Sequence, residues 1–548
     1  MPLKKRGLRY IEPYGTSCLQ FGRHHNGIPS GYAMGRDDLW HWTGPVTSSS
    51  VSYLQSMLYL LTANVSCQGP FQVRNPYYGG PEAAFSLQEA EEWAAKVNED
   101  TGELPFEHAS VYSESSGDST GQLASSRAYT LSLSPQLIYS RSQLLPTLVS
   151  SKVYRQLEFQ AVGSWWIYNP ETDDSSHLYR VPGSREDVFA DDVISMKSKR
   201  TLMRFLRHLG QAQESGNVSE GPDPSPEEEG LAVPFSEYLA TKFQVPTELH
   251  GPLLSLCLSQ AAPQQTSAQY ALPRIKRHLS SIGVFGPGFG ALSVKWGGGS
   301  EISQVGCRAL AVGGGVYVLN TGVKSVGSSI EQDSDDQSRI QIQLTNDESV
   351  KSRYIVGSNW DLPAATRPSL ECDKVARSIS IVSSSLANLF PVTAEGGPVP
   401  VGAVVVFPGS SVGGADGAPP VYTIVHSSET GECPTGQCVV YSSVSIPGSE
   451  GQSMIEAALQ KLFQSAADPN TKVLWSLRYT QLGQGASHNA DLSCPSKNVI
   501  CLPPVSLDLA FDDTLIDTVK KAWELIMGEE AAQHEFMKFE DREGAYEE

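Results

Sequence analysis

Paired cysteines, a long apolar run, a glycine-rich phosphate loop and an excess of positive charge are all missing from this chain of 548 residues. Its nine cysteines include no CxxC. The nearest couples, Cys433 with Cys438 and Cys494 with Cys501, lack further ligands at zinc spacing. They read as reduced thiols of a cytosolic protein rather than a disulfide scaffold. No apolar run reaches the ~18 residues a membrane span requires, and the basic opening MPLKKRGLRY precedes no hydrophobic signal core. A soluble chain is expected. With 40 basic against 60 acidic residues the formal charge is −20, which argues against nucleic acid and anionic membrane as the main partner and favours basic ones. The neighbouring His24 and His25 lack a third ligand at helical spacing. The sequons at Asn64 and Asn217 carry no meaning in a cytosolic chain.

What is present centres on Glu301–Asn320, EISQVGCRALAVGGGVYVLN. A helix-like piece carries an acid and a base seven residues apart, Glu301 and Arg308, then passes through Gly313, Gly314 and Gly315 into a strand with Val316 and Val318 alternating. A phosphate cradle needs strand, glycines and then a helix N-terminus. Here the glycines close a helix and open a strand, so they read as a helix stop and a close backbone approach. A charged pair beside an exposed strand suits gripping another protein.

Ahead of that stretch, Asn75–Pro81 is a turn with two adjacent tyrosines, of which an outward-facing one would be a rigid anchor. Ser86 and Glu89 form a capping box for a helix bearing Leu87, Ala90, Ala94 and Val97. Residues 98–127 read as a polar surface loop, and Trp165–Tyr168 with His177–Val181 as a hairpin. The character changes at Pro182. Ser184 with Asp187 makes a second capping box, and Met196, Leu202, Phe205 and Leu209 recur at helical spacing among Lys197, Lys199, Arg200, Arg204 and Arg207. That basic face reads as a solvated helix side, or as a contact for an acidic surface. Strands return at Ile340–Leu344, Tyr354–Val356, Ser378–Val382, Val401–Phe407, Val421–His426 and Cys438–Val444. Gly409–Gly413 spells a nucleophile elbow, but GADGAPP cannot supply the helix that an elbow needs. A final helix ends at Met527 with Leu515, Val519, Trp523 and Ile526 on one side.

NPYYGGPEAAFSL (75–87), SSKVYRQLEFQAVGSWWIY (150–168), VPGSREDVFADDVISMKSKRTLMRFL (181–206), the Glu301–Asn320 stretch and VHSSETGECPTGQC (425–438) together resemble the Rab escort protein branch of the Rab GDP-dissociation-inhibitor superfamily. The resemblance spans about residues 75–527. It implies an α/β fold: a large flavoprotein-like domain of the FAD/NAD(P)-binding type, without flavin or other cofactor, and an inserted, smaller all-helical domain. The expected divisions are 75–181 and 281–527 for the large domain, 182–280 for the helical one with an acidic disordered loop at 210–231, and a loose acidic tail at 528–548. Residues 1–74 lack the G-x-G-x-x-G of the first βαβ unit, so either that unit is missing or altered, or the sequence starts elsewhere than the functional chain.

By the same resemblance the chain binds unprenylated, GDP-bound Rab GTPases. It presents them to the catalytic Rab geranylgeranyltransferase α/β heterodimer and carries the geranylgeranyl-bearing product to membranes, touching them transiently and making or breaking no bond itself. The family's Rab-binding platform falls on Tyr78, Glu301, Arg308, Val316 and Val318, the two valines standing where relatives often have Thr and Met. Phe235 in PFSEYL resembles the aromatic that escort proteins insert into the prenyltransferase. A recycling inhibitor of prenylated Rab is the near alternative, and a flavin-dependent oxidoreductase the distant one.

Overall fold

Six short strands, five of them parallel, position the candidate site. The computed structural model describes residues 46–48, 70–99, 104–114, 123–171, 177–183, 185–211, 230–312, 316–330, 339–369, 371–392, 394–466, 470–485 and 491–538. All lie within His41–Glu548. The first sheet runs Val316–Leu319, Pro70–Val73, Val46–Ser48, Ile355–Ser358, Val499–Leu502, Ser493–Ser496, with the last strand alone antiparallel. In chain order its parallel strands stand third, second, first, fourth, fifth, the arrangement of doubly wound dinucleotide folds. An antiparallel meander, Val323–Ile330, Arg339–Leu344 and Ser349–Ser352, follows the third strand and precedes the fourth.

The first two strands are therefore not missing. Val46–Ser48 and Pro70–Val73 lie side by side, Thr47 opposite Phe71. Three residues, Val-Thr-Ser, show no period by which a strand can be recognised. The histidines at 24 and 25, Ser184 and most of the acidic loop lie outside the described residues.

The second sheet has ten strands, ordered Phe106–Ser113, Val473–Gly483, Asp373–Val382, Cys438–Val444, Val421–Ser427, Gly402–Phe407, Phe159–Tyr168, Ala291–Val294, Ile138–Tyr139, with Leu178–Arg180 paired to Phe159–Tyr168 as the expected hairpin. Its Val-rich central strands are buried on both faces, which is why they read as continuous apolar runs. Alternation sends Ala403, Val405 and Phe407 toward Met454, Ile455 and Leu462 of the helix Gly448–Ala466, and Val404 and Val406 into a core shared with Cys257 and Ile275 of the helical region. Gly451 lets that helix close on the sheet: a Cβ there would overlap the Ile446 carbonyl and come within 2.8 Å of the Ala376 Cβ. After Gly413 the chain runs through a loop to the strand at Val421, and no helix follows the elbow-like glycines.

Between Arg185 and Ser281 every described element but one isolated bridge is helical. Two expectations are corrected. The polar stretch 98–127 contains an eight-residue edge strand, Phe106–Ser113, whose side chains are buried only at Phe106 and Ala109. Its alternation breaks at His108, which has a positive φ of 55° opposite a register shift in its partner strand. The tail is also packed at its start, since Met537 is buried and Phe536 stands edge-on to Trp523 at 5.7 Å.

Candidate protein-binding platform

The turn Asn75–Glu82 leaves the second parallel strand and separates its two tyrosines. Gly79, with φ +95° and a virtual Cβ 2.8 Å from the Ala83 Cα, makes a bend that no other residue takes without strain. Tyr77 turns inward, edge-on to Phe85 at 4.8 Å, and burial raises its hydroxyl pKa. Tyr78 turns outward, exposed at 36%. Its ring meets that of Tyr317 at 6.1 Å and 85°, an edge-to-face pair, and partial burial again raises the hydroxyl pKa.

Tyr317 sits in Val316–Leu319, the edge strand of the sheet, which pairs through its other side with Pro70–Val73. Alternation puts Tyr317 and Leu319 on one face and Val316 and Val318 on the other. Val316 is exposed and Val318 half-buried. The site thus divides: Tyr78 packs against Tyr317, a residue whose role the sequence reading missed, while the two valines border the open edge from the opposite face. Among the described residues no strand pairs with the outer side of Val316–Leu319, and a sheet edge of that kind is a ready contact for another chain.

The helix Gly299–Val312 precedes that strand and holds both expected charges. Positions seven apart return to one helical face, as the spacing predicts. Glu301 is half-buried, and its pKa is raised by burial and drawn back by the nearby Arg308. Arg308 itself is exposed and donates from Nη1 to the Gln156 Oε1 at 2.9 Å. Gln156, from the SSKVYRQ motif, is the second residue that the sequence did not single out; it aims the guanidinium. Behind both, the Cys307 thiol is pushed up to about 12 by burial, with a hydrogen bond to the Tyr317 side chain pulling the other way. Glu301 and Arg308 on the helix and the edge strand itself flank residues 313–315, and the turn Asn75–Glu82 adds Tyr78 through its contact with Tyr317.

Phe235 is not part of any surface. Its ring is fully buried, 6.2 Å from Phe205, and its N–H donates to the Thr266 carbonyl. It opens a helical turn whose apolar side closes the core, so the expected prenyltransferase-inserting aromatic is a core residue here.

A family model described as GDI, GDP dissociation inhibitor, matches residues 71–465. The chain belongs to the GDP dissociation inhibitor family. A curated relative, the Rab proteins geranylgeranyltransferase component A of Candida albicans, is 32% identical over 268 residues, 48% of this chain and 39% of that protein. The chain thus spans about two fifths of that relative's length. Among solved structures it is similar to Rab GDI from Plasmodium falciparum, with a TM-score of 0.59 at 16% identity over 89% of this chain and 99% of that one. An oxidoreductase from Methanosarcina mazei gives 0.54 at 9% identity over 88% and 100%. These two likenesses show the fold.

That fold raises the question of a flavin dinucleotide. Its binding takes glycines after the first strand, for backbone approach to the pyrophosphate, and an acid after the second, for the ribose. In the sequence of this family member serines, not glycines, follow the first strand, and Arg74, its Nη1 donating to the Trp360 carbonyl at 3.2 Å, follows the second. The residues do not fit that cofactor. Among the described residues no three His, Cys, Asp or Glu side chains converge as a metal site, and no helix is long and apolar enough to cross a membrane.

Proposed function

We propose that this chain is a Rab escort protein: it holds an unprenylated, GDP-bound Rab GTPase, presents it to the Rab geranylgeranyltransferase heterodimer and carries the lipidated product, with no bond made or broken by its own residues. The observation that carries the reading is the outward ring of Tyr78, braced on Tyr317 at an open strand edge beside Glu301 and Arg308. An aromatic anchor supplies desolvated area, the two charges supply orientation, and the edge supplies main-chain partners. The related component A of Candida albicans supports the same reading.

Physical need supports it too. Each methylene of a geranylgeranyl chain left in water costs ~0.8 kcal/mol, on the order of 10 kcal/mol for the chain. A carrier must cover it. A cavity of about 480 Å³ lined by Ile167, Tyr168, Tyr179, Val193, Ile194 and Leu249 is a site for that lipid. It lies between the Trp165–Val181 hairpin and the helical region, rather than among the helices alone.

Reconstitution tests the proposal: purified chain, a GDP-loaded Rab, the transferase heterodimer and geranylgeranyl diphosphate, with lipid attachment followed by mass. Attachment should depend on the chain. Equal rates with and without it, together with no grip on the bare Rab, would sink the reading. Binding of prenylated Rab without capture of the heterodimer would instead make the chain a recycling inhibitor.

A further inference from the structure

The helix Met196–Gln211 inverts the charge of the chain around it: five Lys or Arg and no acid, in a protein of net charge −20. At 100° per residue, Met196, Lys197, Arg200, Arg204 and Arg207 fall within an arc of roughly 100°. All five are exposed. The opposite arc holds the buried Leu202, Phe205 and Leu209 together with Lys199, whose Nζ is turned in to the Phe189 carbonyl at 2.9 Å. The cations therefore form one stripe and not a uniformly charged cylinder.

At the N-terminal end of the stripe stands an apolar knuckle. Phe189, Val193 and Met196 are exposed at 49%, 77% and 61%. Asp191 holds this turn in shape by accepting from Tyr179 Oη at 2.6 Å and from the N–H groups of Val193 and Ile194. Asp192 is the exposed acid beside it. Large side chains held out in water next to a row of arginines match the interface of a lipid leaflet, where the rings and methyls enter the acyl boundary and the cations meet phosphates. A merely acidic protein surface would use the cations and leave the knuckle unexplained.

We propose that this stripe and knuckle form a docking surface for an anionic membrane. Val193 also lines the cavity described above, so a lipid held there would leave at the membrane surface. The docking surface itself rests on the helix and knuckle and not on that reading, because its test contains neither Rab nor isoprenoid.

The experiment is co-sedimentation of the full chain with phosphatidylcholine vesicles, with and without phosphatidylserine, at low and high salt. Binding should need the anionic lipid and weaken with salt. Reversal of three cations, Lys197→Glu, Arg200→Glu and Arg207→Glu, should weaken it by at least about tenfold, and Val193→Asp should weaken it separately. Unchanged near-ultraviolet circular dichroism keeps misfolding out of the comparison. Equal sedimentation with neutral and anionic vesicles, or an unchanged affinity in the triple variant, overturns the proposal. So does a failure of anionic vesicles to bind the full chain.

Discussion

The ring of Tyr78 stands edge-on to that of Tyr317, centroids 6.1 Å apart. One tyrosine comes from the turn after the second strand and the other from the edge strand, so the pair fixes the turn to the sheet margin. Tyr78→Ala removes a partly exposed ring and its edge-to-face contact, and stability should fall by about 0.5–1.5 kcal/mol. Affinity for a GDP-bound Rab, measured by titration calorimetry, should fall by ~2 kcal/mol or more, as for a buried interface anchor. An unchanged affinity would remove Tyr78 from the platform.

Arg308 and Gln156 should differ in degree. Arg308→Ala should weaken Rab binding by ~1–3 kcal/mol for bare and prenylated Rab alike. Gln156→Ala leaves the charge but frees the guanidinium, so it should cost less, on the order of 0.5–1.5 kcal/mol for one lost hydrogen bond. A glutamine variant as damaging as the arginine variant would show a direct contact of Gln156 with the partner.

At Glu301 stability and binding pull in opposite directions. Burial raises its pKa in the folded chain, so folding favours its protonated form, and whatever stability this group contributes is lost as pH rises through the folded pKa. Glu301→Gln should be at least as stable as the parent in urea melts at pH 7.5. The difference should close at low pH, where both carry a neutral group. Rab binding by the variant should nevertheless weaken, because the orienting charge has gone.

Much of the fold is legible in the sequence. The capping box at Ser86 forms as its spacing demands: Glu89 Oε2 accepts from the Ser86 N–H at 2.9 Å and from its Oγ at 2.8 Å. Central strands such as Gly402–Phe407 were visible because burial on both faces writes an unbroken apolar run. The short strand Val46–Ser48 and the half-exposed Phe106–Ser113 were not, because neither carries a period. In the site, Glu301 and Arg308 could be paired from helical spacing alone. Tyr317 and Gln156 could not, since each acquires its partner through contacts across 239 and 152 positions of chain. Phe235 failed for a related reason: an aromatic at a helix start looks the same whether it closes a core or meets a partner.

Phe235 accordingly tests as a core residue. Phe235→Ala should cost about 3–5 kcal/mol in denaturant unfolding, while Phe235→Leu, which keeps most of the volume, should cost far less. Any loss of transferase capture should follow the loss of folded protein across the two variants. Full stability with abolished capture would return the ring to the interface.

His278 gives the chain an acid limit of its own. It is buried between the Tyr139 hydroxyl, 3.3 Å from Nδ1, and the Trp165 ring at 4.6 Å. Burial lowers its pKa to about 4 from an ordinary 6.5. A base whose folded pKa is depressed contributes fully above the unfolded value and loses that contribution as pH falls toward the folded one. Between pH 6.5 and about 4 the unfolded chain takes a proton that the folded chain refuses. Stability should therefore drop by up to ~1.4 kcal/mol per pH unit in that window from this group alone. Carboxylates add their own acid dependence, so the measurement is a difference: urea melts of the parent and of His278→Gln at pH 7.5, 6 and 5. The variant should start less stable and lose less with acid, the two curves converging as pH falls. Parallel curves across the window would mean that His278 takes up its proton equally in both states.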